Sequence, residues 1–242
     1  MAKIKLFCSI VIIFTIIFFI CLIYRDFYII PNMLKRNCII FDELRSLLPE
    51  VNEILEKYNL TYWISSGTLL GHQREYKKFI PHDDDIDLII YEKENQNLEN
   101  IFQQISVDLE KSGSDIYYEK NTFYGGKFFR KKSKVFIDIF YYYNNPENPK
   151  QIYAKYKNCR KHWPNEYFYV DELFPLQKDK FENIDVYLPK EPIKYLFRFF
   201  GNDCLTNIKF YYTHHENSFH NYIIDYTSKI FDIDITKYKR IC

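Results

Sequence analysis

The 242-residue chain has no excess of either charge: 27% of it is charged, yet the formal net charge is +1. That balance leaves no electrostatic footprint for nucleic acid. No cysteines stand at zinc-ligand spacing, and no segment repeats. His214, His215 and His220 read as exposed tail residues rather than a metal site. The 23 tyrosines and 22 phenylalanines read as bulk composition, not as an aromatic binding surface. What remains is one principal domain with extensions.

A long apolar run is present. Leu6 to Tyr24 carries no charge over 19 residues, about 28 Å as a helix, which matches the hydrocarbon core of a bilayer. Lys3 and Lys5 precede it, and no small-residue cleavage site follows. Residues 1–5 therefore read as a short cytoplasmic tail, 6–24 as a signal anchor and 25–40 as a linker with Pro31 near its start. The short basic N-terminus favours a lumenal body, the layout of a type II membrane protein in the Golgi or endoplasmic reticulum. Outside the anchor, Cys38, Cys159, Cys204 and Cys242 allow up to two disulfides in any of three pairings. Asn59-Leu60-Thr61 is a glycosylation sequon.

Between Phe41 and Tyr58, Leu44, Leu47, Leu48, Val51, Ile54 and Leu55 recur at helical spacing, so a helix with a kink or restart at Pro49 is expected. Asn97 to Lys111 predicts a second helix ending near Gly113. Asn183 to Leu188 reads as a strand, followed by a short amphipathic helix through Phe200 that stops at Gly201.

The chemistry lies between Trp63 and Tyr91. A strand-like run breaks at Ser65-Ser66-Gly67-Thr68, and Asp83, Asp84, Asp85 and Asp87 run into Leu88-Ile89-Ile90. Side chains alternate along a strand, so Asp85 and Asp87 face one way, about 6 to 7 Å apart. Like charges that close favour a bound divalent cation, and Mg²⁺ or Mn²⁺ suits oxygen ligands and substrate phosphates. Gly67-Thr68 reads as a turn where backbone N–H groups approach a phosphate. An EF-hand is excluded, because the glycine after the third acid and the distal Glu are missing. Downstream, Lys134 to Phe140 is a β-rich run carrying one carboxylate, Asp138. It either completes a three-carboxylate site or caps a sheet edge and pairs with Lys127, Arg130, Lys131 or Lys132. Those basic residues, like Arg74, can equally bind substrate phosphates.

GTLLGHQR, IPHDDDID, FIDIF and FENIDVYLPKEPIKYLFRFFGNDCL together resemble the LicD/fukutin family of phosphotransferases over roughly Ile40 to Leu205. WPNEYFYVDELFPL is most similar to its fukutin-related branch. The resemblance implies an α/β (α+β) fold, a nucleotidyltransferase-like mixed sheet flanked by helices, over residues 41–205, with 206–242 as a C-terminal extension. It further implies transfer of ribitol phosphate or phosphocholine from a CDP-alcohol donor to a glycan or glycoprotein acceptor. Asp83, Asp85 and Asp87 fall on the family's acidic cluster, Asp138 on its third carboxylate strand, Gly67 and Thr68 on the donor-phosphate turn and Arg74 on the following arginine. By the same implication Asp138 orients or deprotonates the acceptor hydroxyl. His82 stands where the family has Trp, and the segment from Arg74 to Pro81 lacks the usual glycine. Two other readings use the same residues: an Asp-x-Asp glycosyltransferase with a nucleotide-sugar donor, and a catalytically silent binding protein that keeps the fold.

Overall fold

The structure is a computed structural model and describes residues 2–133, 135–206 and 218–228. The chain divides into two compact units, residues 1–39 with 208–242, and residues 40–207.

In the first unit, α1 (Ala2–Tyr24) leads into a π-helical turn, Arg25–Ile29, and then the first residues of α2 (Ile30–Lys57). Among the described residues this is the one stretch long and apolar enough to cross a membrane. Residues 25–40, expected as a linker, are thus helical. The physical reason is a buried face that composition did not advertise: Ile29, Ile30, Met33 and Leu34 pack with Ile223 and Ile224 of the C-terminal helix Ser218–Ser228. His220 lies on that helix, whereas His214, His215 and Cys242 lie outside the described residues.

The second unit is built on a seven-stranded sheet. Its strands are β1 (Thr61–Ile64), β2 (Ile86–Tyr91), β3 (Ile116–Asn121), β4 (Gly125–Arg130), β5 (Phe136–Asn145), β6 (Asn148–Ala154) and β7 (Tyr167–Tyr169). The order is β1-β2-β5-β4-β3, with β6 joining the far half of β5 and β7 joining β6. Only β2 and β5 run parallel, so the sheet is mixed. Leu88, Ile89, Ile90, Ile137 and Ile139 have no exposed surface, the near-continuous apolar run of strands covered on both faces. Leu44, Leu47, Leu48, Val51 and Leu55 of α2 enter the same core, and α2 continues through Pro49 instead of restarting.

Three helices frame the sheet: α3 (Ser66–Arg74), α4 (Leu98–Lys111) and α5 (Lys157–His162). Asn97 caps α4 by accepting the Asn100 N–H at 3.0 Å. Two short helices follow, α6 (Val170–Leu173) and α7 (Pro192–Phe200), the latter ended by Gly201 at φ +98°. Between them a separate hairpin, β8 (Gln177–Phe181) and β9 (Ile184–Leu188), turns on Glu182 and Asn183, both at positive φ. Cys159 and Cys204 are buried, and neither takes part in a disulfide.

Candidate functional site

The pairing of β2 with β5 assembles the site. In the parallel register Ile86 stands opposite Ile137 and Asp87 opposite Asp138, and opposed residues on neighbouring strands point to the same face. Asp85 enters the same group from the residue before β2. One carboxylate oxygen from each of Asp85, Asp87 and Asp138 lies within 4.8 Å of the others, and all three residues are buried. Asp83 and Asp84 form a second group with Asp85 at the same closeness.

The head of α3 holds Asp87 in place. Thr68 Oγ1 accepts the Asp87 backbone N–H at 2.9 Å, and the Gly67 N–H donates to Asp87 Oδ2 at 3.1 Å. The positive end of the helix therefore faces a carboxylate. Gly67 and Thr68, expected at a donor phosphate, both contact this aspartate. A Cβ on Gly67 would fall 2.5 Å from Asp83 Oδ2, so the missing side chain is what lets Asp83 lie over the helix start.

Asp138 has two partners on its other side. The Tyr124 hydroxyl donates to Oδ1 at 2.7 Å, and Lys127 Nζ lies 3.1 Å from the same oxygen. Lys127 is the cross-strand neighbour of Asp138 and also sits 3.3 Å above the Phe136 ring. Of the two readings of Asp138, acid cluster and lysine pair, the structure shows both at once.

Arg130 is not brought to this face. It lies three residues beyond Lys127 on β4, so it points to the opposite side of the sheet, where it pairs with Glu50 at 2.6 Å and Asp115 at 2.7 Å. Arg74, at the far end of α3 and about 10 Å along the helix from Gly67, bonds to Glu75 and to the Cys204 carbonyl.

Burial, then the repulsion of neighbouring acids, holds the Asp85 and Asp87 carboxyls well above the usual aspartate range. Asp87 is pulled back in part by the Gly67 N–H. A buried, all-oxygen donor set with this much mutual repulsion fits a hard divalent cation. Asp85, Asp87 and Asp138 could hold one.

Two participants escaped the sequence reading. Tyr124 is one; its signal was its place before Gly125-Gly126, at the mouth of β4. Glu166 is the other. It lies 5% exposed in the turn before β7, accepts from the Ser66 hydroxyl at 2.7 Å, and its charge is felt by Asp87. An acid set among the aromatics of WPNEYFYV was the signal available.

A family profile described as LicD/FKTN/FKRP, nucleotidyltransferase domain, matches residues 59–191. The chain belongs to this family. The LicD-type match covers more than half of the chain and contains every residue of the acid cluster. An uncharacterised protein of Rickettsia prowazekii is 37% identical over 150 residues, 62% of this chain and 51% of its own length. The lipopolysaccharide cholinephosphotransferase LicD of Haemophilus influenzae is 29% identical over 139 residues, 49% of this chain and 52% of its own. The human ribitol-5-phosphate transferase FKTN is 24% identical over 166 residues, 68% of this chain and 34% of its own. The LicD-type chain thus spans about half the length of the relatives it matches, or less.

Proposed function

We propose that the chain is a membrane-anchored, metal-dependent phosphotransferase. It moves a phospho-alcohol, of the ribitol phosphate or phosphocholine kind, from a CDP-linked donor to a hydroxyl of a glycan. The observation that carries this reading is the register of Asp87 against Asp138, with Asp85 beside them, inside a LicD-type domain. The relatives named for cholinephosphate and ribitol-5-phosphate transfer supply the substrate class.

In the proposed site Asp85, Asp87 and Asp138 hold Mg²⁺ or Mn²⁺, with Asp83 beside them. When bound, the cation offsets the charge of the transferring phosphoryl group and of the leaving CMP. Lys127, already at the edge of the cluster, places its ammonium where a phosphate oxygen can replace Asp138 as its partner. Tyr124 holds Asp138 by its hydroxyl, and the Asp138 carboxylate orients the attacking hydroxyl and takes its proton. The β-phosphorus gains the acceptor oxygen and loses the bridging oxygen, which departs on CMP. Gly67 and Thr68 act indirectly by fixing Asp87.

In the same proposal α1 is the anchor, and the basic residues before it favour a lumenal catalytic unit in a Golgi or endoplasmic-reticulum membrane. Protection of residues 40–207 from added protease in sealed microsomes checks that orientation, and digestion without detergent contradicts it.

The test is incubation of the purified full chain with Mg²⁺ or Mn²⁺ and a panel of CDP-alcohols and nucleotide sugars, with candidate glycans. Release of CMP from a CDP-alcohol, lost on adding EDTA, supports the phosphotransferase. Release of a nucleoside diphosphate from a nucleotide sugar replaces it with a glycosyltransferase.

A further inference from the structure

Glu166 is buried near the acid cluster, as Asp84, Asp85, Asp87 and Asp138 are, and the mechanism above makes no use of it. Its contacts reach the head of α3, α7, β5 and the end of α5. Its Oε1 accepts from the Ser66 hydroxyl at 2.7 Å and from the Tyr195 hydroxyl at 3.3 Å. Its backbone carbonyl accepts from the Tyr142 hydroxyl at 3.1 Å, and its N–H is tied to the Trp163 carbonyl at 3.1 Å. Tyr142 and Tyr195 have no exposed surface, and the Tyr195 ring stacks on Phe168 with centroids 4.2 Å apart. Glu166 is therefore buried and held from several sides.

Ser66, which it grips, is the strained residue of the site. Its φ is +45°, in the left-handed region that an L-residue other than Gly, Asn or Asp enters at a cost. Such strain persists where surrounding contacts over-determine it. Here the hydroxyl is held by Glu166, and the Ser66 N–H is directed at the Tyr195 hydroxyl at 3.4 Å. The left-handed step is what turns the chain from β1 into α3. The very next N–H, that of Gly67, then meets Asp87 Oδ2, and the next side chain, Thr68, takes the Asp87 N–H.

We propose that Glu166 is a positioning residue: by holding Ser66 in its left-handed conformation it aims the start of α3 at Asp87 and fixes that carboxylate for the cation. The inference rests on the metal-site reading of Asp85, Asp87 and Asp138. It assigns Glu166 no contact with substrate, and it does not depend on which donor is used.

The experiment measures Mn²⁺ binding to the full chain in detergent by titration calorimetry, without donor or acceptor, alongside circular dichroism and the melting temperature. Glu166→Ala is expected to stay folded and to lose roughly tenfold or more in Mn²⁺ affinity, the scale seen when a group behind a metal ligand is removed. Glu166→Gln keeps an acceptor for Ser66 and should retain affinity to within about threefold. Ser66→Ala, which deletes the link with little change in volume, should reproduce the Glu166→Ala loss and decides the matter if Glu166→Ala does not fold. Wild-type affinity in folded Glu166→Ala, or in Ser66→Ala where the former does not fold, overturns the proposal while leaving the metal site intact. Absence of Mn²⁺ binding by the wild-type chain removes the metal-site reading itself, and the proposal with it.

Discussion

Asp87 and Asp138 face each other across the one parallel pair of the sheet, each clasped from its own side: Asp87 by the head of α3, Asp138 by Tyr124 and Lys127. The two carboxylates are held by different elements, yet the register makes them one site. Repulsion between them is built into the fold, and it supplies the first two predictions.

Replacing one acid by its neutral isostere should relieve the repulsion. Asp85→Asn is expected to raise the melting temperature of the metal-free protein, by about 1 kcal/mol in stability. Added Mn²⁺ should no longer stabilise it, and transfer should fall roughly 10²–10³-fold, the range for losing one charge-stabilising group. A metal-free variant less stable than wild type contradicts this account.

The pH dependence has a definite sign. Burial and neighbouring acids raise the folded-state values of Asp85 and Asp87, so the protonated forms are those the metal-free fold accommodates. Their contribution is fully present below the ordinary aspartate value and is lost as pH rises through the raised ones. Melting in EDTA should therefore show this contribution declining as pH rises from the ordinary aspartate value through the raised ones, with Mg²⁺ stabilising far more at the upper end. An equal Mg²⁺ effect at both ends refutes the assignment.

Gly67→Ala separates the site from the fold. The added Cβ meets the end of the Asp83 side chain, not backbone, so Asp83 must swing away while the helix start gains a better helix former. Stability should stay within about 1 kcal/mol, and Mn²⁺ affinity should fall about tenfold. Calorimetric titration of the variant, with its melting curve, checks both halves.

Lys127 and Arg130 should part company. Lys127→Ala removes the ammonium at the cluster and is expected to raise the donor KM roughly tenfold. Arg130→Ala breaks the pairs with Glu50 and Asp115 on the opposite face and should leave kcat/KM within about twofold. Steady-state kinetics on the two variants decides it.

Much of the site was legible before any coordinates. Asp85 and Asp87 declared themselves because alternation along a strand is a local rule, and an acid carried into an apolar run needs a cation or a partner to stay charged there. Asp138 was visible as a third acid on a β-rich run, but its partner strand was not. Gly67 and Thr68 were singled out as a turn before the acids, and the structure places them in the first turn of α3. Their observed partner, Asp87, lies nearly twenty residues away and is brought close only when β1 pairs antiparallel with β2. The helical state of residues 25–40 shows the same limit, since their apolar face became readable only when Ile223 and Ile224 came against it.

By itself, then, the sequence determined the apolar helix, the family, the helical and strand elements with strong periodicity, and the acids of the cluster. These follow from spacing and side-chain chemistry, which act between near neighbours. Only the tertiary structure decided that Asp138 stands opposite Asp87, that Lys127 and not Arg130 shares its face, and that Glu166 reaches across from the turn before β7 to hold Ser66. Those choices are set by strand register and by the parity of a residue's position on its strand. A shift of a single residue reverses either one, and it is the packing of the whole core that fixes both.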